Sequence, residues 1–161
     1  MAISLASHFG ILELKESWQW VGSLAAVITL GVATVFEIFA YYIPFIDNLL
    51  DSIAIPLAAI AGTAVMVSTI ADLDPVITWS LAIIAGGGTA TAIAGSSAAT
   101  RLTSTSTTGG LGNPVVSTLE TGTAITLSAF SIFLPIIGFV LVLLVLSIIF
   151  RFYKKIKSAK G

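Results

Sequence analysis

Few residues in this chain carry formal charge inside apolar surroundings, and they are the ones able to do chemistry. Glu37 lies well inside a long apolar run, Arg101 closes another, and Glu120 opens a third. A carboxylate at membrane depth is costly unless it is paired, protonated or watered, so Glu37 is a candidate proton or cation site. Glu37 has the alternative of an interfacial glutamate held by a neighbouring backbone or loop. Arg101 is the only basic residue between positions 16 and 150. A lone arginine seeks a carboxylate or a phosphate. Glu120 and Glu37 are the partners within the chain, and a lipid headgroup or anion is the partner outside it.

The stretch TRLTSTSTTGGLGNPVVSTLE lies between Arg101 and Glu120. Positions 100–108 hold seven hydroxyl residues and one arginine, and Gly109, Gly110, Gly112, Asn113 and Pro114 follow. The glycines permit positive φ and close backbone approach. Asn113-Pro114 reads as a helix N-cap followed by a first-turn proline. The unpaired N–H groups of that helix start, together with Thr107, Thr108 and the glycines, form a candidate cradle for an ion or anionic group. The pattern is no Walker A loop, because no lysine follows the glycines. Further on, Ser117, Thr121, Ala124, Ser128 and Ser131 make a polar stripe beside Glu120. It is read as facing protein or water and not lipid, for interhelical hydrogen bonding or as a hydrophilic path.

What must position these residues is a set of membrane helices. The 161 residues are 57% hydrophobic and 9% charged, with a mean hydropathy of +1.06, against roughly 25% charged in a soluble domain. Apolar segments fall at about 21–42, 53–70, 76–100 and 115–150. Trp18, Trp20, Tyr41 and Tyr42 flank the first as an aromatic belt. Pro44 breaks it, and residues 43–52 read as an amphipathic interfacial piece with Asp47 and Asp51 on its wet side. Asp74-Pro75 reads as an N-cap and first-turn proline, making segments two and three an antiparallel hairpin. From position 85 to 99 every residue but Ile93 is Gly, Ala, Ser or Thr. Such a helix admits close backbone approach on every side and belongs at the bundle centre or along a cavity. The last segment is too long for one straight span, so Pro135 and Gly138 kink or break it; a hairpin would add a crossing.

The charge is asymmetric. Residues 1–150 hold two bases and eight acids, net −6, whereas residues 151–161 hold five bases. A cationic cluster after an apolar helix places the C-terminus in the cytoplasm. Four crossings then put the N-terminus there too. Residues 1–10 lack the charge and cleavage pattern of a signal peptide and resemble the end of a helix. No cysteine is present and His8 is the lone histidine, so metal centres, cofactor sites and nucleophilic triads have no candidate residues. Nothing points to nucleic acid, and an enzyme is the weaker class.

The runs AIIAGGGTATAIAGSSAATRLTSTSTTGGLGNPVVSTLE, EIFAYYIPFIDNLLDSIAIPLA and FLPIIGFVLVLLVLSII resemble the bacterial membrane family designated domain of unknown function 4126. The resemblance covers nearly the whole chain, with GGLGNPVVSTLE its most specific part. It implies a prokaryotic membrane location and an additional apolar helix upstream of LASHFG, and it implies no activity. The expected fold is an all-α polytopic transmembrane bundle, one membrane domain over residues 1–161, associating as a homo-oligomer in the bilayer. The leading functional reading is a small transporter or channel-like protein in the bacterial cell membrane. The rivals are an accessory or scaffold subunit and a lipid-binding protein.

Overall fold

The computed structural model describes residues 1–43, 46–70 and 72–158. The proline break expected at Pro44 and the last residues of the basic tail, Lys160 among them, lie outside the described residues. All the regular structure described is helical. The order is α1 (Ala2–His8), a 3₁₀ segment (Glu16–Gly22), α2 (Leu24–Ala40), α3 (Ile46–Thr69), α4 (Pro75–Leu81), a π-helical turn (Ala82–Gly87), α5 (Gly88–Thr108), α6 (Asn113–Phe133) and α7 (Pro135–Ser158).

Three of these stretches are long and apolar enough to cross a membrane: Leu49–Thr69, Pro75–Thr108 and Asn113–Phe133. The 3₁₀ segment and α2, bent by 59° at Ser23, make a fourth if counted together. The protein is a multi-pass membrane protein, and its surface agrees. The chain exposes 10690 Å², whereas a compact soluble chain of its mass exposes about 7,600 Å². Among the described residues only Ala6, Leu14, Val67 and Ala82 are buried apolar side chains. Lipid is the solvent that accepts the remaining apolar faces.

Local chemistry sets the helix ends. Asp74 caps α4, its carboxylate accepting from Val76 N–H at 2.9 Å, with Pro75 in the first turn. α3 then packs along the π turn and α5, as the small residues require. Gly62 of α3 and Gly86 of the π turn meet backbone to backbone: a Cβ on either would lie 2.4 Å from the other's carbonyl oxygen. The same seam brings Gly87 against Thr63 and the Ala59 carbonyl.

Two expected boundaries move. α3 starts at Ile46, so the separate interfacial piece expected at 43–52 is, over its described part, the first turns of a spanning helix. The helix carrying Arg101 runs on through Thr108, so the loop is confined to residues 109–112. There Gly109 and Gly110 take φ of +64° and +89°, the left-handed conformation that ends a helix most cheaply at glycine. The last apolar segment is broken at Leu134 (φ −137°, ψ 69°). The break is sharp. A Cβ on Gly138 would lie 2.6 Å from Ser131 Cα, although residues seven apart in a continuous helix are about 10.5 Å apart. At the start of α2, α1 docks on the 3₁₀ segment: Ser4 Oγ donates to Val21 O at 2.6 Å and His8 Nδ1 lies 2.9 Å from Gly22 O.

The Gly62–Gly86 crossing yields a direct expectation. Gly86→Leu should lower stability by about 3 kcal/mol, the upper range for overpacking. Gly88→Ala, whose Cβ meets nothing within 4 Å, should leave the thermal midpoint in detergent unchanged or slightly raised. Equal loss in the two variants would refute the close crossing.

Candidate functional site

Three helices each present two polar residues four apart, which places each pair on one helix face. They are Asp47 and Asp51 on α3, Arg101 and Thr105 on α5, and Asn113 and Ser117 on α6, with Glu120 one turn beyond Ser117. The faces converge at one end of the bundle and stack as two rungs. In the first rung the Asn113 side-chain amide donates to the Asp47 carboxylate and to Thr105 Oγ1, the latter at 2.9 Å. In the second, Arg101 donates through Nη1 to Asp51 Oδ1 at 2.6 Å and through Nη2 to Glu120. Asp51 lies two residues into the apolar span Leu49–Thr69, so the rungs sit at the end of the apolar zone and not midway along it.

α2 closes the second rung from the side. The Arg101 guanidinium carbon stands 3.8 Å from the centroid of the Tyr41 ring, a cation–π contact that adds to the charge pairing. The neighbouring Tyr42 hydroxyl lies 2.8 Å from Thr118 Oγ1. Thr118 spends its proton on the Pro114 carbonyl, leaving Tyr42 as the donor. Burial is deep for such polar groups: Asp47 is 1% exposed, Asn113 2%, Ser117 3% and Arg101 5%. Among the described residues, the buried side-chain atoms without a hydrogen-bond partner are Arg101 Nε, Asn113 Oδ1 and Ser117 Oγ. Ser117 lies between the rungs along α6. The amide orientation of Asn113 is fixed by chemistry, because only its NH₂ end can face a carboxylate, so the carbonyl end is the one left open.

The expected site residues fall into three groups. Arg101, Asn113, Ser117 and Glu120 come together. The Gly109–Gly110 turn caps α5, and Gly112 packs against Ser104 and Thr108, whose Oγ1 accepts its N–H at 3.0 Å. Thr107 and Thr108 are exposed on α5 and return their hydroxyl protons to the Thr103 and Ser104 carbonyls, so they are helix surface and not cradle. Glu37 stands apart. It is exposed in a shallow groove of about 410 Å³ between α2 and α3, lined also by Tyr41, Leu50 and Ile53, and the carboxylates on Arg101 are Asp51 and Glu120. Asn113 is not the N-cap expected of it: Gly112 holds that position, and the amide turns inward to Asp47.

The expected wet face of residues 43–52 is the largest correction. Asp47 and Asp51 point into the bundle, with the Asp51 side chain 13% exposed. The signal was in the sequence. Their spacing matches that of Arg101 with Thr105 and of Asn113 with Ser117, and the five N–H donors of an arginine can engage more than one carboxylate.

A family model described as a domain of unknown function (DUF4126) matches residues 1–155. The chain belongs to the DUF4126 family. No curated protein and no solved structure matches it. For this DUF4126 chain the two rungs are therefore the primary functional clue.

Removing the base alone should be far worse than removing the whole charge set, because an uncompensated buried charge costs more than an absent pair. Arg101→Met should destabilise the protein by about 3 kcal/mol in a thermal melt. Adding Asp51→Asn and Glu120→Gln to Arg101→Met should restore at least half of the loss. A triple variant no better than the single one would show that the rung is not an electrostatic unit.

Proposed function

We propose that this protein is a small transporter or channel-like protein for an ion or small solute, set in a bacterial cell membrane with its C-terminus in the cytoplasm. The observation that carries the reading is the buried polar core at one end of the bundle, where Arg101, Asp47, Asp51, Asn113 and Glu120 converge and polar atoms of Arg101, Asn113 and Ser117 remain open. Ionisable groups within membrane bundles are expensive and concentrate along ion and proton pathways. Glu120 is the gatekeeping group in this reading. Its side chain is 26% exposed while bonded to Arg101, so it connects the buried network to the outside.

A second reading, a non-transporting scaffold subunit, is favoured by the outer faces of the helices. Gly88 and Gly95 on the small-residue helix have nothing within 4 Å of their Cβ positions, which leaves that face open for another helix, in a homo-oligomer or a partner subunit.

Reconstituted proteoliposomes distinguish the two. With a pH-sensitive or sodium-sensitive dye inside, the wild-type protein should dissipate an imposed gradient, and Glu120→Gln should slow it at least tenfold. Asp72→Asn, in the turn near Lys15 away from the rungs, should leave the rate unchanged. A wild-type rate equal to that of empty vesicles, for protons, sodium and potassium alike, would remove the transport reading.

A further inference from the structure

We infer that the groove between α2 and α3 is a binding site for one hydrophobic organic cation, a monovalent charge sheathed in apolar groups and held against the Glu37 carboxylate. The inference deepens the transport reading by naming a class of solute. It rests on that reading only for the solute's passage, and binding is measurable without transport.

The first support is an unanswered charge. Glu37 is the only charged residue of α2, and among the described residues nothing pairs with its carboxylate. Both bases in the first 150 residues are taken, Arg101 by Asp51 and Glu120 and Lys15 by Asp72. Thr34, about one turn back along α2, donates its hydroxyl proton to the Leu30 carbonyl at 2.7 Å and leaves none for Glu37. Glu37 precedes Tyr41 by four residues, about 6 Å along the helix, and Tyr41 is where α2 meets Arg101. The groove therefore runs from the level of the second rung into the apolar zone: its α3 wall, from Leu50 to Leu57, belongs to the span Leu49–Thr69. A carboxylate there needs a partner, and a cation from outside the chain supplies it.

The second support is the lining. Phe36 and Tyr41 bring two aromatic rings to the groove that holds the carboxylate, and the rest of its described lining is aliphatic, Ala33, Leu50, Ile53 and Leu57 among it. Carboxylate and rings both attract a cation, the rings through their quadrupole. The aliphatic walls favour apolar substituents around that charge. An inorganic ion finds a single carboxylate in this lining, and among the described residues no three His, Cys, Asp or Glu side chains form a metal-holding group. An aminophospholipid carries a phosphate beside its ammonium, and the phosphate would meet Glu37 with like charge. The groove volume of about 410 Å³ lies within the roughly 300–1,000 Å³ of sites that hold one small ligand.

The test is equilibrium dialysis of the purified full-length protein in detergent against tetraphenylphosphonium, with empty micelles as the blank. The wild type should bind this probe saturably, about one ion per chain. Tetraphenylborate, the same shape with the opposite charge, should bind no better than it does to the blank. Glu37→Gln removes the charge and keeps the shape. It should weaken tetraphenylphosphonium binding about tenfold and leave the thermal midpoint unchanged. Ala33→Leu narrows the groove without touching the charge and should weaken binding by about as much. Asp72→Asn, a charge removed from the turn before α4, should bind as the wild type does. Equal binding of the two probes, or undiminished tetraphenylphosphonium binding in Glu37→Gln, overturns the site. Saturable binding without probe uptake into proteoliposomes would remove the transport reading and leave the site standing, and ion flux without probe binding would do the reverse.

Discussion

The Arg101 guanidinium is the charge around which one end of this bundle is assembled. No other base lies between positions 16 and 150, and hydrocarbon offers a cation no solvation of its own. Three other helices bring partners to it at once: Asp51 from α3, Glu120 from α6 and the Tyr41 ring at the end of α2. Asn113 repeats the pattern a turn away with Asp47 and Thr105. Farther along α3 the helix is joined instead to the π turn by contact between glycine backbones, which requires close approach and no charge. The two ways of joining helices occupy different levels of the same hairpin.

Many of the hydroxyls on α5 and α6 are satisfied within their own helix. Thr100, Thr103, Ser106, Thr107 and Thr108 each donate to the carbonyl four residues earlier, as do Thr118, Thr123 and Thr126. A hydroxyl that returns its proton to its own helix presents little unsatisfied polarity outward, so a threonine-rich helix can face lipid or another helix at small cost. This is how residues 101–108, beyond the expected end of the apolar segment at 100, continue as regular helix.

Composition and spacing revealed the membrane class, the α3–α4 hairpin with its Asp74 cap, the small-residue seam and the break near Pro135, because each depends on local chemistry. The partnership of Arg101 with Glu120 was legible as one of two options, since a lone base in an apolar chain needs an acid. The inward direction of Asp47 and Asp51 was not. Polar positions on an amphipathic helix usually face water, and only the packing of α3 against α5 and α6 reverses that rule. Asn113 was misread for a related reason: asparagine before proline is a common cap, but a buried carboxylate from another helix competes for the same amide and wins.

The π-helical turn at Ala82–Gly87 has a geometric consequence for everything after it. A wider turn inserts about one extra residue into the helical repeat, which rotates the following helix by about 100° relative to an uninterrupted α-helix. The face that meets α3 through Gly86 and the face that carries Arg101 and Thr105 are thus set in phase by a single irregular turn some fourteen residues upstream of the arginine. The winding of the backbone partway along this long helix therefore determines which way the charge points farther on.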